Sequence, residues 1–400
     1  MDKKASPCTP DTNLLDICYR RSLALLHRNS TPDGILASTR TEKAVGRHYA
    51  SIFGRDAAIC ALGMAASGEP DLIDFARAGL LTLARHQAPN GQIPKYVKPE
   101  TGEVDFWYTG CIDATLWWLV AVNFFDRLLP DDRLAEELAP RTALALRWLE
   151  CQEHQAWYLL QQNEASDWAD IMPRSGFVLY TNALWFWVKK LYDLPTARES
   201  RDYANLLFYP FGSAVPEQRR VRLLMHYIRN RAKPTPFYLS FVNFSVWGEE
   251  LDIFGNILAS LAGLADASGA GKIASSLLTM GASHPWPIRV VGTPIGREDP
   301  LWRLYMQRHR QNLPWQYHNG GIWPFVGGFW VMLLARLGRE KEAWAELEKL
   351  ALVNRLGDWE FNEWLHGQTG EPMGMPGQSW NAALFVLAYR TLHDEVRLIQ

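Results

Sequence analysis

Apolar residues recur at three- and four-residue spacing along almost the whole of this chain, and that spacing constrains its fold more than any other feature. A helix turns once every 3.6 residues, so such spacing gathers the apolar side chains on one helical face. Segments of this kind cover 11–28, 55–67, 70–87, 113–128, 132–153, 180–191, 216–231, 249–267, 271–280, 322–337, 341–353 and 379–391. Pro70, Pro130 and Pro216 stand where a helix begins or its predecessor must stop, because proline fixes its own φ and lacks an amide donor. No period-two run is long enough to build a sheet. One short hairpin is expected over 92–106, where Asn90-Gly91 and Thr101-Gly102 are turn dipeptides.

The chain has 400 residues, 48% of them hydrophobic and 21% charged, which suits a globular protein with a large core. Length alone would permit two or three domains. No Ser/Gly linker or shift in composition interrupts the helices, so one domain over 1–400 is expected. Helical hairpins of this number can bury their apolar faces by closing into two concentric rings, an all-α (α/α)6 barrel with at most a short β-hairpin. The loops at one end of such a ring converge on a funnel. A net charge of -2 leaves no basic face for nucleic acid. The polar stretch from Met1 to Asn13 does not read as a secretory leader. The longest apolar stretches, 112–125 and 320–335, are broken by Asp113 and Pro324 and fall short of the roughly 18 to 20 residues of a bilayer span. The 5 cysteines are scattered, odd in number and form no CxxC pair, as in a cytoplasmic protein with reduced thiols and no zinc. The expectation is therefore a cytoplasmic protein with no membrane or nucleic-acid partner, no metal and no cofactor. An oligomer is compatible with it.

The count of 18 Trp bears on more than core size, because several stand beside Gly, Asp, Asn or Glu rather than inside Leu/Val runs. Aromatic rings fill cores, but they also stack on the apolar faces of sugars and keep a polar handle. Five polar-aromatic segments break the helical pattern. Segment 51–56 carries Arg55 and Asp56 at a helix start, and segment 90–95 ends in Lys95. Segment 113–118 places Asp113 ahead of Trp117 and Trp118; segment 164–174 brackets Trp168 between Asp167 and Asp170. The last is in two parts. Residues 317–324 contain Tyr317, His318, Asn319, two glycines and Trp323; residues 359–367 and 377–381 add Glu360, Glu363, His366, Gln378 and Trp380. Each has a plain structural reading as a cap, a turn or a solvated acidic loop. Gly320 and Gly321 would let backbone approach a ligand closely. No GxSxG, Walker, HExxH or GxGxxG motif competes. What recurs is an acid beside a tryptophan. Cleaving an acetal needs one carboxyl group kept protonated and one ionised; inverting enzymes hold the two about 6.5–9.5 Å apart to admit a water.

In this order the segments resemble the alkaline/neutral invertases and their (α/α)6 relatives. Those relatives include trehalase-type and processing α-glucosidases and the amylo-α-1,6-glucosidase part of glycogen debranching enzymes. The resemblance runs from about Tyr49 to Tyr389, and rests chiefly on 113–118, 314–324, 363–367 and Gln378-Ser379-Trp380. It implies an inverting, exo-acting α-glycosidase hydrolysing a small α-glucoside such as sucrose. It implies Asp170 as general acid and Glu363 as general base, with Arg55 and Asp56 gripping the non-reducing sugar. Asp113, Trp117, Tyr317, His318, Asn319, Trp323 and Gln378 match pocket positions, and Asp167, Trp168 and Trp380 join them as substrate-binding candidates. The chain departs from the invertase pattern at 168–172 and 177–182, which leaves the sugar open, Asp167 as a rival to Asp170 and Glu360 as a weaker rival to Glu363. Alternatives are a debranching amylo-α-1,6-glucosidase and a hydrolase of glucosylglycerate or trehalose type. From other classes come a sugar epimerase, which would depend on histidines such as His318 and His366, and a non-catalytic carbohydrate-binding protein.

Overall fold

The computed structural model describes residues 12–212, 216–244 and 246–399. Its helices in chain order are α1 (Thr12–Asn29), α2 (Glu42–Gly46), α3 (Gly54–Ser67), α4 (Pro70–Arg85), α5 (Ile112–Leu128), α6 (Leu134–Gln152), α7 (Leu179–Leu191), α8 (Ala197–Phe208), α9 (Arg219–Arg231), α10 (Ile253–Ala262), α11 (Ala267–Thr279), α12 (Pro324–Arg336), α13 (Glu340–Trp359) and α14 (Ser379–Leu392). Six of them are apolar nearly all round. In α3 every residue but Arg55 is buried, and all of α10 is. A helix without a polar face belongs inside. Accordingly α3, α5, α7, α10, α12 and α14 pack each against the next, and α14 returns to α3 to close an inner ring.

The outer helices are amphipathic. Helix α4 buries Leu72, Ala76, Gly79, Leu80 and Leu83, one stripe at helical spacing flanked by buried Thr82 and Ala84, and exposes Asp71, Asp74 and Arg85. It packs on α3, and in the same way α6 covers α5, α8 covers α7, α11 covers α10, α13 covers α12 and α1 covers α14. The result is the expected all-α (α/α)6 barrel, closed by its first and last helices. Among the described residues no helix is long and apolar enough to cross a membrane. Cys18, Cys60, Cys111 and Cys151 are free thiols; Cys8 lies outside the described residues.

The two ends of the barrel differ. Inner helices pass to outer ones through short links such as 68–69, 263–266 and 337–339, whereas outer helices return through long segments at 30–53, 86–111, 153–178, 280–323 and 360–378. All six inner helices therefore begin at the same end. Their unpaired amides and positive dipole ends face the long loops.

Several features differ from the sequence expectation, the short α2 among them. Helix α8 was not expected, because Arg198, Glu199, Arg201 and Asp202 hide a narrow apolar face of Ala204, Leu207 and Phe208. Helix α10 is shorter than 249–267: the side chain of Asp252 caps it by accepting from the Gly255 amide at 3.0 Å, and Gly263 ends it in the left-handed region. The hairpin over 92–106 is present as Tyr96–Val97 paired with Val104–Asp105, but Ile52–Phe53 joins it as a third strand. A second three-stranded patch links Gln161–Gln162, Gly176–Val178 and Phe241–Val242. Strands of two or three residues leave no period in the sequence.

Candidate functional site

At the N-terminal end of the inner ring lies a cavity of about 390 Å³. The starts of the inner helices supply Arg55 and Asp56 from α3, Trp323 just before α12 and Trp380 from α14; the long loops supply Asp170, Tyr317, His318 and Glu363. Strand pairing of Phe53 with Tyr96 draws the hairpin across the mouth, so that Lys95, Asp105 and Trp107 join the wall. Segments more than 300 residues apart thus share one site: the Tyr49 hydroxyl donates to Glu363 Oε1 at 2.5 Å across a separation of 314 residues.

The two carboxyl groups named from the sequence both line this cavity, in different surroundings. Glu363 is buried. The Met375 amide donates to its Oε2 at 2.9 Å. Gly374, at φ +82, closes the turn over it; a Cβ there would stand 2.4 Å from Oε2, so no other residue fits. Burial pushes the Glu363 carboxyl up to about 7, against the hydrogen bonds of Tyr49 and Met375. Asp170 keeps 29% of its side chain exposed, and Lys95 Nζ lies 3.6 Å from its Oδ2. Burial works to push its pKa up, but neighbouring positive charge, Lys95 first of all, outweighs it and holds the carboxyl below its ordinary value.

Arg55 is oriented from behind. Its Nη1 lies 3.2 Å from Asp113 Oδ2 and its Nε 3.4 Å from Asp56 Oδ2. Asp113 also accepts from the Tyr180 hydroxyl at 3.0 Å, and that hydroxyl accepts from Trp117 Nε1 at 2.7 Å. Burial raises the Asp56 carboxyl to about 6, partly countered by Arg55. The walls are aromatic. His318 stacks on Trp323 at 5.0 Å and meets Trp168 edge-on at 4.9 Å, while Trp380 stacks on Phe325 at 4.0 Å. Burial takes the His318 imidazole down to about 3, so it is a neutral wall.

Five residues expected at the pocket stand outside its lining. Asp113 and Trp117 form the second layer behind Arg55, with Trp117 packed between Trp187 and Phe329. Asp167 is no rival to Asp170: it is buried, accepts from Arg174 Nη2 at 2.8 Å, Gln162 Nε2 at 2.9 Å and the Ala169 amide at 2.8 Å, and faces away from the cavity. Asn319 holds the long loop to itself, its amide donating to Ile295 O at 2.9 Å and accepting from Ile295 N at 2.8 Å. Gln378 donates to Met375 O at 3.3 Å and steadies the turn over Glu363. Glu360 accepts from Asn362 Nδ2 at 3.2 Å, also away from the cavity. The paired glycines serve the loop's own backbone rather than a ligand: a Cβ at Gly321 would stand 2.5 Å from Tyr317 O. In each case a polar or aromatic residue in a promising motif satisfies a buried neighbour, which sequence spacing does not reveal.

Conversely, the expected set lacks Tyr49, Lys95, Asp105, Trp107 and the mouth residues Arg47 and His48. Lys95 Nζ sits 3.7 Å over the Trp107 ring. The turn signals of the hairpin and the isolated Trp107 were the available pointers to this wall; Tyr49 carried none. No group of described residues could hold a metal ion.

The electrostatics give a stability test. Glu363 ionises at about 7 when folded against 4.5 ordinarily, so its contribution is fully present below about 4.5 and is lost as pH rises through about 7. That displacement corresponds to about 3 kcal/mol. The thermal midpoint of Glu363→Gln, relative to the parent, is expected to climb by several degrees between about pH 5 and about pH 8. A difference that stays flat across that range would mean that Glu363 ionises normally.

Residues 250–395 match the family of alkaline and neutral invertases. The chain is 27% identical over 111 residues to alkaline/neutral invertase C, mitochondrial, of Arabidopsis thaliana, covering 27% of this chain and 16% of that protein. It is 29% identical over 85 residues to neutral/alkaline invertase 1, mitochondrial, of Oryza sativa subsp. japonica, covering 20% of this chain and 13% of the relative. The matches thus span less than a fifth of either relative's length. In fold the likeness is wider. The structure of a GH63 mannosylglycerate hydrolase from Thermus thermophilus superposes with a TM-score of 0.63, covering 92% of this chain and 99% of that one at 16% identity. The chain is thus similar to the alkaline and neutral invertases over 250–395, and it shares its barrel fold with the Thermus thermophilus hydrolase over nearly its whole length.

Proposed function

We propose that the chain is an inverting, exo-acting α-glycosidase, an α-glucosidase of invertase-like type that hydrolyses a small α-glucoside such as sucrose. One observation carries the reading. Asp170 and Glu363, from distant parts of the chain, face one cavity with separate partners and ionisations displaced in opposite directions. Acid–base chemistry on an acetal uses two such carboxyl groups sharing one proton; at rest that proton is on Glu363, and the reacting form carries it on Asp170. A cavity of about 390 Å³ suits a small glycoside rather than a polymer. Trp168, Trp323 and Trp380 give the cavity a buried aromatic wall, and Arg55 with Asp56 offers charged partners to sugar hydroxyls. In this reading Asp170, the more exposed of the pair and beside Lys95, protonates the glycosidic oxygen. Glu363, held by Tyr49, takes a proton from the water that attacks the opposite face of the ring. The invertase names of the two plant relatives support sucrose as the first substrate to try.

An epimerase would need a second basic group of histidine type. His366 instead accepts from the Gln368 and Thr369 amides, both at 3.3 Å, in a turn outside the cavity, and His318 is buried and neutral. Proton NMR of the first-formed sugar tests the proposal: an α-glucoside should release the β-anomer, and early appearance of the α-anomer would overturn inversion.

A further inference from the structure

We propose that a second, non-catalytic saccharide-binding site lies on the outer face of the Asp170 loop, in a groove of about 600 Å³ between the end of α6 and residues 161–176. Its lining includes Trp148, half-buried against the core. In the same lining stand the amides of Gln152, Gln161 and Asn163, exposed and, among the described residues, without a side-chain hydrogen bond. A carboxamide presents donors and an acceptor together, which is what paired hydroxyl groups ask for. Among the described residues no Lys or Arg lines the groove, which argues against a phosphate or a carboxylate as its ligand. Its one carboxylate, Glu164, is already engaged by Arg303 Nη2 at 2.9 Å and by the Tyr305 hydroxyl at 3.0 Å. A half-buried indole in one lining with uncharged, unengaged amides matches a neutral ligand with an apolar face and many hydroxyls. A pyranose is that ligand.

The groove also touches the proposed catalytic cavity through a shared wall. The Ala165 carbonyl accepts from Trp107 Nε1 at 2.9 Å on the cavity side and from the Thr109 hydroxyl at 2.9 Å on the groove side. A sugar in the groove therefore rests on the segment that seats Trp107.

The site does not depend on the proposed hydrolysis, and its test keeps the two apart. The full chain carrying Glu363→Gln, to prevent turnover, is titrated calorimetrically with glucose, sucrose and maltotriose up to about 10 mM, which spans the millimolar affinities of a shallow site. The expected result is two binding events for at least one sugar. Adding Trp148→Ala and Gln161→Ala should weaken one event by at least about tenfold, near 1.4 kcal/mol, and leave the other within about twofold. Gln161→Ala with Asn163→Ala, at exposed positions, should reproduce the loss without lowering the thermal midpoint, so misfolding of the Trp148 variant cannot mimic it. Binding of none of these sugars in a way the groove substitutions weaken overturns the proposal. If the hydrolase reading alone is wrong, the groove event persists and the cavity event is missing.

Discussion

Asp170→Asn and Glu363→Gln are each expected to lower turnover of sucrose by about 10²- to 10⁴-fold while leaving its binding nearly intact, because each removes a proton-transfer group and little else. The two failures should differ in kind. Without Asp170 the leaving oxygen departs unprotonated, so α-glucosyl fluoride, whose leaving group needs no proton, should recover most of the lost rate. Without Glu363 water is not activated, and the fluoride should remain slow. This contrast matters because the resting cavity holds its proton on the other member. Burial raises Glu363 to about 7, whereas Lys95 keeps Asp170 below the ordinary range. The reacting form, with the proton on Asp170, is then the minor arrangement of a singly protonated pair. A plot of kcat/KM against pH is blind to that distinction, since it reports only the values of the pair. It should fall above about 7, where the pair loses its last proton, and fall again only below the ordinary carboxylate range, where both groups carry one. Fluoride rescue of Glu363→Gln instead of Asp170→Asn would exchange the two roles. Full activity in both variants would remove the pair from the mechanism.

The helices were legible in the sequence because apolar residues recur at helical spacing, and their number, with no linker between them, pointed to two concentric rings. Which helices lie inside was not read from spacing: α3, α5, α7, α10, α12 and α14 form the inner ring, and the striped helices form the sheath around them. The site was legible only where chemistry and motif coincide. Arg55, Asp170, Glu363, Trp323 and Trp380 meet at the cavity because the long loops and inner-helix starts are all at one end. What spacing could not supply was direction. Asp167 and Asp170 are three residues apart in one loop, yet one turns inward to Arg174 and the other into the cavity. Trp117 and Trp380 both follow helix starts, yet one packs on Trp187 and the other lines the cavity. Lys95 and Tyr49 act through partners that the fold brings to them from far along the chain.

Arg174 is where that division of labour can be tested most severely. Its guanidinium is buried between two carboxylates, with Nη2 2.8 Å from Asp167 Oδ1 and Nη1 2.5 Å from Asp252 Oδ2. Asp252 caps α10, and Asp167 holds the amide of Ala169, the residue before Asp170. The arginine thus ties the Asp170 loop to an inner helix. Arg174→Met leaves two buried carboxylates uncompensated, which is expected to cost about 3–5 kcal/mol and to lower the thermal midpoint by several degrees. The sign with pH follows from burial. Asp252 already ionises above its ordinary value because burial outweighs Arg174, and without the cation it ionises higher still. The variant's deficit should therefore be large near about pH 8 and shrink as pH falls toward about 5 and the carboxyl groups take up protons. Arg174→Lys should recover little, because a single ammonium cannot serve both carboxylates in this forked geometry. The functional consequence separates a mere clip from a positioning residue. If the arginine sets Asp170, then kcat should fall by about tenfold or more in the folded variant with KM nearly constant, since small displacements of a reacting group are costly. A folded Arg174→Met protein with reduced stability and undiminished kcat would show that Asp170 takes its place from Lys95 and the cavity wall instead.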